Sequence, residues 1–485
     1  MNQSDTGAEG GQGSGFRVQG EEAKFEGLMP AKPRTLTPSS SPLTTGSVWK
    51  GLMNLAGPMF IGTTLQNLQS VIGLFWVGRL GSDAVAALAM GGTILMMLFP
   101  VVMGLATGTV AVVSRRVGEG LPGQAAEAGG QSLVVALICG VVAGVAGWIW
   151  APELCRLQGA TGEVARLSAQ YLGISLLGCF TVFLLFIGNS ILQASGNTVI
   201  PMKAMILATV LNLVLDPIFI FGLLGMPRLG VEGAALAMVL AQGVAVIVVI
   251  RALAQGKSGV KVTLAHWRFQ FEPAWRLMKI GIPSSGQMLS RSLMSVALMR
   301  IVAGSGTAAV AAYGIGARFH MMTMMPAFVL GNAAGAMVGQ NLGAKRTDRA
   351  ERVAWLATGL GALILFLCAI VLTVFAAPLI RVFDDNPEVV HIGTDYLRLV
   401  SLFHVFAALS IILGRALQGA GDTVGPMVTT IVGLWGVQIP LAIYMSRHVI
   451  PATHGIWWSV AITLTLNGLM VAGWFLTGRW KRKKV

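Results

Sequence analysis

The sequence predicts an all-α polytopic membrane protein in which twelve transmembrane helices form two six-helix bundles related by an internal repeat. Three observations predict this fold: the apolar composition, a series of long apolar segments, and a repeat through almost the whole chain. Hydrophobic residues make up 54% of the 485 residues and charged residues only 11%, with a mean hydropathy of +0.73. These values are typical of a membrane protein and exclude an ordinary soluble domain.

Twelve apolar segments are long enough to cross a bilayer. About 20 apolar residues span the roughly 30 Å of hydrocarbon, and a helix satisfies its own backbone there. We place the segments near residues 51–77, 84–113, 131–151, 169–192, 203–224, 231–251, 278–303, 308–338, 353–377, 395–417, 427–446 and 454–476.

The second half of the chain repeats the first at a constant offset. Residues 47–258 fall on residues 272–483 after a shift of 225 positions, without a gap. The stretch 192–202 then meets 417–427, and Pro58 meets Pro283. Transporters are commonly built from two related halves with a site between them. The repeat therefore predicts a transporter.

These patterns divide the chain into five segments. We expect a disordered cytoplasmic tail at 1–46, rich in Gly, Ser, Thr and Pro, and a basic cytoplasmic tail at 479–485. Between them lie an N-terminal lobe at 47–258, a cytoplasmic linker at 259–277 and a C-terminal lobe at 278–478. The N-terminal tail lacks the basic-then-apolar pattern of a cleaved signal.

The net charge of +14 is distributed in alternate loops rather than in one patch. This placement argues against nucleic acid as a partner. By the positive-inside rule, it puts both termini in the cytoplasm. We also expect the chain to be a monomer in a bacterial inner (plasma) membrane, in contact with lipid. The four cysteines show no CxxC spacing, so neither a disulfide framework nor a metal site is indicated.

Asp216 is the clearest chemical candidate, because a carboxylate within a span costs at least about 2.5 kcal/mol and persists where it has a role. Asn212 lies one helical turn before it, on the same face. The repeat counterparts of this pair are Val437 and Leu441, so the acid belongs to the first half only. Alternatively, Asp216 pairs with a buried arginine or caps the broken backbone near Pro217.

Further polar residues within the spans allow two interpretations. Gln66, Gln69 and Asn189 either hold helices together or face a cavity. Tyr171 lies near the outer end of its span, where tyrosine commonly forms an interfacial belt. Pro58 breaks the backbone ladder of the first helix and predicts a kink that is either a hinge or purely structural.

Basic residues also lie within the spans of the second half. Arg300 is expected to extend outward to the membrane surface, whereas Arg291 lies nearer mid-span and needs a partner or water. His320 and His404 are candidates for proton transfer, although a lone histidine is more often structural. The chain contains no Walker A sequence, nucleophile elbow, HExxH motif or paired acid dyad. We therefore expect a protein that is not an enzyme and that uses an ion gradient rather than ATP.

Four motifs together resemble those of the MATE (multidrug and toxic compound extrusion) family. They are residues 77–81 followed by 84–87, residues 192–202 with Asn212 and Asp216, residues 339–344, and residues 417–427. The resemblance covers 47–478. It implies two six-helix bundles around a central cleft that export organic cations and drugs in exchange for protons or sodium ions, with no cofactor.

The resemblance to the prokaryotic, DinF-like branch of this family implies specific site residues. Asn189, Asn212, Asp216 and Tyr171 match members of a polar network in the first lobe, Gln66 matches a cavity glutamine of the first helix, and Pro58 matches the kink proline there. We predict ion coupling at Asp216, Asn212 and Asn189, the substrate cavity at Tyr171, Gln66 and Gln69, and the hinge at Pro58. Two departures bear on the ion site, because the acid of the first helix is Gly73 here and the threonine of the sixth helix is Ala234. Asp216 must then act without a partner carboxylate, which favours protons over sodium.

Two alternatives remain at this stage. A lipid-linked saccharide flippase of the same superfamily commonly carries additional spans and a more cationic cleft. The twelve-span count argues against it, whereas Arg291 and Arg300 leave it open. A membrane-embedded enzyme or receptor is the alternative from another class, and an enzyme would need a convergent catalytic set, which the sequence does not show.

Overall fold

A computed structural model describes residues 43–483. All regular secondary structure in this range is helical, which confirms the predicted fold class. Most of the predicted N-terminal tail, residues 1–42, and the last two residues lie outside the described range.

Twelve membrane-spanning units follow one another in the described chain. In the first half they are α1 (Val48–Gly78), α2 (Ser82–Gly118), α3 (Pro122–Leu157), α4 (Gly162–Leu177 and Cys179–Ala194), α5 (Val199–Phe221) and α6 (Val231–Ala254). In the second half they are α7 (Phe271–Ala303), α8 (Thr307–Gly343), α9 (Thr347–Val374), α10 (Pro387–Ser401 and His404–Gly419), α11 (Val424–His448) and α12 (Ala452–Leu476).

Most helices begin before the apolar segments that predicted them, although α5 and α9 end slightly earlier than predicted. α3 begins at Pro122 rather than near 131, because proline is favoured in the first helical turn. α7 begins at Phe271, inside the predicted linker, and the linker also contains the short helix Leu264–Trp267. Hydropathy marks the lipid-facing length of a helix, whereas its true ends lie in the polar region beyond.

The two halves share their helix boundaries as well as their sequence pattern. α2, α3, α4 and α5 begin 225 positions before α8, α9, α10 and α11. The fourth unit of each half is bent, by 44° in α4 and by 56° in α10. The second half departs in detail, since α10 and α11 contain π-helical turns at Leu409–Leu413 and Val432–Gln438. Such turns are frequent at functional sites.

α1 and α7 are the two units that lack a continuous stretch as apolar as those of the other ten. Eight described helices are long and apolar enough to cross a membrane, and α4 and α10 bring the number to ten if each bent pair is one span. α1 and α7 have 31 and 33 residues, so they also have the length to cross. Polar side chains within a span usually face protein or water. The first helix of each half is therefore expected to contribute to an internal surface.

The halves contact each other where α1 begins and α12 ends, which we call the terminal side. There α2 and α7 meet backbone to backbone at two glycines. A Cβ atom at Gly104 would lie 2.7 Å from the carbonyl oxygen of Gly281, and a Cβ at Gly281 would lie 2.9 Å from that of Gly104. Only small residues allow helices to approach so closely.

A second contact joins α2 to α8 with approximate twofold symmetry. Gly118 of α2 packs on the backbone of Gln340, and Gly343 of α8 packs on the backbone of Arg115. Gly118 is the repeat counterpart of Gly343, and Arg115 is that of Gln340. Each half therefore presents the same surface to the other, as in an isologous interface.

Both ends of the described chain are fastened to the terminal side. The carbonyl oxygen of Leu43 accepts a hydrogen bond of 3.3 Å from Asn341 Nδ2. At the other end, Arg115 Nη2 donates to the Lys483 carbonyl at 3.3 Å, and Lys483 Nζ lies 3.6 Å from Asp422 Oδ1. These contacts reinforce the closed interface.

We predict opposite effects for two glycine-to-alanine changes on α2. Gly104→Ala should lower the thermal stability of the purified protein, because the new Cβ forces α2 and α7 apart. Gly92→Ala should leave stability unchanged or raise it, since no atom lies within 4 Å of a Cβ there. Alanine also favours a helix over glycine by about 1 kcal/mol. Thermal melting in detergent measures both, and a stabilising Gly104→Ala would contradict the close contact.

Candidate functional site

A cavity of about 210 Å³, partly open to solvent, lies between the two halves. Its walls come from α1, α2, α4, α5 and α6 of the first half and from α8 and α10 of the second. Apolar and neutral polar side chains make up almost all of the lining. The exception among the described lining residues is Arg415, and no carboxylate is among them. The cavity therefore suits an amphipathic organic molecule better than a small ion.

Four predicted site residues line this cavity: Pro58, Gln66, Gln69 and Asn189. Gln69 Nε2 and Asn189 Oδ1 are buried and have no hydrogen-bond partner among the described residues. Buried polar atoms normally find a partner, so these two are available to a ligand or to water. The structure thus favours the cavity interpretation of these amides over the helix-joining one.

Asp216 and Asn212 form a separate pair inside the first half. Asn212 Nδ2 donates to Asp216 Oδ1 at 2.9 Å, as their spacing on one helical face predicts. Both side chains are buried, and neither lines the cavity. Asp216 Oδ2 has no partner in the described structure, and no ion pair there includes Asp216. The alternative that Asp216 pairs with a buried arginine is therefore not supported.

Tyr171 does not line the cavity, in contrast to the prediction from the sequence. Its ring is buried in the first half and packs against Gly91, where a Cβ would lie 2.6 Å from the ring. Tyr396 packs against Gly316 in the same way, and both pairs are repeat counterparts. Tyr171 also lies within electrostatic range of Asp216. Tight packing on a glycine, which sequence spacing does not reveal, holds the ring inside the bundle.

Two residues, Gly73 and Ala234, depart from the family pattern. At neither position does another side-chain oxygen take the place of the missing one. No atom lies within 4 Å of a Cβ built at Gly73. Ala234 is buried in the same apolar cluster as Tyr171. Neither position supplies a side-chain oxygen, so Asn212 is the one side chain that donates a hydrogen bond to Asp216 in the described chain.

Pro58 links α1 to α5 through a freed carbonyl group. Proline has no N–H, so the carbonyl oxygen of Asn54, four residues earlier, loses its helical partner. Thr198, which precedes α5, donates its hydroxyl to this oxygen at 3.3 Å. The break in α1 is thus fastened to the start of the helix that carries Asp216.

A buried polar network on the second half borders the cavity. Gln287 Nε2 donates to Thr430 Oγ1 at 2.8 Å, and its Oε1 accepts from Gln418 Nε2 at 2.8 Å. Arg415 Nη1 lies 3.2 Å from Gln418 Oε1 and 3.4 Å from Thr107 Oγ1. Thr107 belongs to α2, so the network also crosses between the halves.

The sequence analysis did not identify Arg415 as a site residue. It lies near the end of the predicted span 395–417, where a basic residue is commonly interfacial. The repeat contained a signal, because Arg415 takes the place of Ser190 while Gln418 matches Gln193. A charge present in one copy only marks a local difference in function, as it does for Asp216.

The remaining basic residues predicted within the spans of the second half are two histidines and two arginines. His320 Nδ1 and His404 Nε2 are 3.0 Å apart, so neither histidine is isolated. Arg291 is partly buried, and its Nε has no hydrogen-bond partner in the described chain. Arg300 is exposed in the last turn of α7, in the outward position expected for it.

Within residues 43–483, no group of three His, Cys, Asp or Glu side chains could hold a metal ion. The four cysteines are free.

Comparison with known proteins gives consistent matches along the chain. The family model described as MatE matches residues 58–218 and 283–444, once in each half. The chain is 27% identical over 456 residues to the probable multidrug resistance protein YoeA of Bacillus subtilis (strain 168), covering 92% of this chain and 98% of that protein. It is 24% identical over 447 residues to the probable multidrug resistance protein NorM of Thermotoga maritima, covering 90% and 94%.

A solved structure shares the architecture. It is described as the outward-facing conformation of a multidrug resistance MATE family transporter of the MOP superfamily. The TM-score is 0.83 at 25% identity, and the alignment covers 92% of this chain and 99% of that chain.

We predict that the glutamine network stabilises the second half. Gln418→Leu should destabilise the protein by about 1 to 3 kcal/mol, because it leaves buried Gln287 Oε1 without a donor. The matched control is Gln193→Leu at the repeat-equivalent position, where the side chain lines the cavity without such a bond. Thermal melting in detergent should show a clearly lower midpoint for Gln418→Leu alone, and equal midpoints would contradict the role of the network.

Proposed function

The chain belongs to the MatE family, and on that premise we propose that it is a secondary antiporter that exports amphipathic organic compounds by alternating access of its two halves. Members of this family are transporters and not enzymes, as the sequence predicted. The assignment to the DinF-like branch remains a prediction. The flippase alternative is not favoured, because the two relatives named above are described as probable multidrug resistance proteins.

One observation carries the proposal: a cavity lies between two repeat-related halves that touch on the terminal side. Alternating access needs such an interface to form and separate. Opening would break the few hydrogen bonds that cross it, such as Gln340 Nε2 to the Ala194 carbonyl at 2.7 Å and Ser284 Oγ to Thr107 Oγ1 at 3.2 Å. The contacts of Gly104 with Gly281, and of Gly118 with Gln340, are mainly van der Waals contacts between backbones. Helices that meet in this way can separate and dock again as rigid bodies.

The cavity lining suits varied apolar ligands. Met59, Met103, Met202 and Met205 line it together with Phe186. Methionine is flexible and polarisable, so it adapts to ligands of different shape. The unpartnered amides Gln69 and Asn189 supply hydrogen bonds that orient a ligand without fixing its identity.

Asp216 is the proposed coupling group. A carboxyl group buried in apolar surroundings is more stable neutral than charged, and its ionisation demands water or a rearrangement. α5 carries Asp216, and its first residues are fastened through Thr198 to the backbone break at Pro58. Gain or loss of a proton at Asp216 would therefore bias α1 between two shapes, and with it the cavity wall.

Protons fit the described surroundings of Asp216 better than sodium. A proton needs one carboxyl group, whereas Na⁺ needs several oxygen ligands. Gly73 and Ala234 supply none from their side chains. Asn212, Asn189 and backbone carbonyls are the oxygens that a sodium site would have to recruit.

We further propose that the terminal side faces the cytoplasm of a bacterial cell. The charge pattern supports this orientation, since Arg115 and Arg116 lie in the last turn of α2, and Lys345 and Arg346 lie in the loop after α8, all on that side. The described structure would then be closed toward the cytoplasm. We expect the protein to act as a monomer in the plasma membrane.

Asp216→Asn should abolish coupled transport while leaving the fold intact. The amide keeps the shape of the carboxyl group and a partner for Asn212, but it cannot bind and release a proton. A susceptibility panel in an efflux-deficient host identifies an exported compound, and its flux is then followed in proteoliposomes. Asp395→Asn is the control, because Asp395 is paired with His454 at 2.9 Å in the second half. Wild-type flux in Asp216→Asn would place coupling elsewhere.

A pH gradient alone should drive flux in proteoliposomes, and a sodium gradient at constant pH should not. The reason is the lack of a second carboxylate near Asp216 among the described residues. Both gradients are imposed separately on the same preparation with the same compound. Flux that follows sodium at constant pH, with none driven by the pH gradient, would overturn proton coupling.

A further inference from the structure

The second half contains buried and partly buried basic groups without acidic partners. Arg291 on α7, His320 on α8, and His404 and Arg415 on α10 all lie within membrane-spanning helices. No ion pair in residues 43–483 includes either arginine or either of these histidines. The first half shows the reverse, with Asp216 buried and no basic partner. The halves therefore differ in the sign of their buried charge.

The two arginines belong to one continuous polar surface. Gln287 and Arg291 are one turn apart on α7, so their side chains share a face. Gln287 is bonded to Gln418, and Gln418 lies 3.2 Å from Arg415, which lines the cavity. Arg291 lies within electrostatic range of both Arg415 and His320. The positive field of the second half thus reaches the cavity at Arg415.

Neutral contacts do not compensate these charges. Arg415 Nη1 meets Gln418 Oε1 and Thr107 Oγ1, and the latter distance is a long 3.4 Å. Arg291 Nε has no partner. A guanidinium carries five N–H donors in a fork that matches the oxygens of a carboxylate or phosphate. Two such groups that repel each other away from water are stabilised most by an anion held between them or beside them.

We propose that Arg415, which lines the cavity, is a subsite for a negatively charged group of the exported compound, either a carboxylate, a sulfonate or a phosphate, and that Arg291, outside the lining, strengthens the positive field there. The inference rests on the proposed function, because it takes the cavity to be the transport site. The apolar part of the compound then lies against Met59, Met103 and Phe186 across the cavity. Amphipathic organic anions are therefore the substrate class, in place of the organic cations that the resemblance implies. No carboxylate in the described lining could hold a cation.

A matched pair of dyes tests the subsite directly. Fluorescein and rhodamine 123 share a xanthene framework, but fluorescein is anionic and rhodamine 123 is cationic. Binding to the purified full-length protein is measured by fluorescence anisotropy in neutral detergent, with no gradient. We expect tighter binding of fluorescein, and a loss of about 10- to 100-fold in its affinity in Arg415→Gln and in Arg291→Gln. Rhodamine binding should not weaken in either variant.

Two controls distinguish the loss of the subsite from misfolding of the variants. Arg300→Gln removes an exposed arginine from the end of the same helix and should leave fluorescein binding unchanged. Arg415→Lys retains the charge and should bind fluorescein better than Arg415→Gln, provided that both variants elute as the wild type does in size-exclusion chromatography. Preferential binding of rhodamine, or equal fluorescein affinity in wild type and both glutamine variants, would overturn the subsite.

The negatively charged group at the arginines could also come from the phosphate of a lipid headgroup. Phosphatidylglycerol is therefore added to the detergent as a competitor, and fluorescein flux is followed in proteoliposomes. Displacement by phosphatidylglycerol together with absence of fluorescein flux, in a preparation that exports another compound, would assign the arginines to lipid and overturn the substrate assignment. Binding without export of any compound under any gradient would instead reject the proposed antiport and leave the anion subsite standing.

Discussion

The close backbone contact of α2 with α7 and α8 is the constraint on which the rest of the structure depends. Gly104 meets Gly281, and Gly118 and Gly343 meet the opposite half with approximate twofold symmetry. Lipid gives little hydrophobic reason for membrane helices to associate, so packing of small residues supplies the association. Because these contacts close one side of the molecule, the polar faces of both halves are left to line a cavity rather than to meet each other.

The two copies of the repeat share their architecture. The residues proposed to carry the function are positions at which the two copies differ. Asp216 has an apolar counterpart in the second half, and Arg415 has a small neutral one, Ser190, in the first. The first half therefore holds a buried acid that lies apart from the cavity, and the second half presents a basic group to it. This arrangement separates the proposed coupling group from the proposed substrate subsite. The two communicate through helix positions, of which the break at Pro58 is the most direct.

Much of the fold was predictable, because the apolar segments and the offset of 225 positions are properties of the sequence alone. The Asn212–Asp216 pair was predictable for the same reason, since helical spacing fixes which residues share a face. The position of Tyr171 was not, because it depends on the missing side chain at Gly91 in another helix. Arg415 was missed because hydropathy does not show which end of a span faces a cavity.

The most direct test of the account is the distance between the halves on the terminal side during transport. Spin labels at Gly123 and Asp348, exposed repeat-equivalent positions at the starts of α3 and α9, report this distance by double electron–electron resonance in nanodiscs. Alternating access predicts one short distance in the closed state, and a second, longer distance when the exported compound is added or the pH is changed. A single distance that stays the same under all these conditions would contradict the opening of this interface.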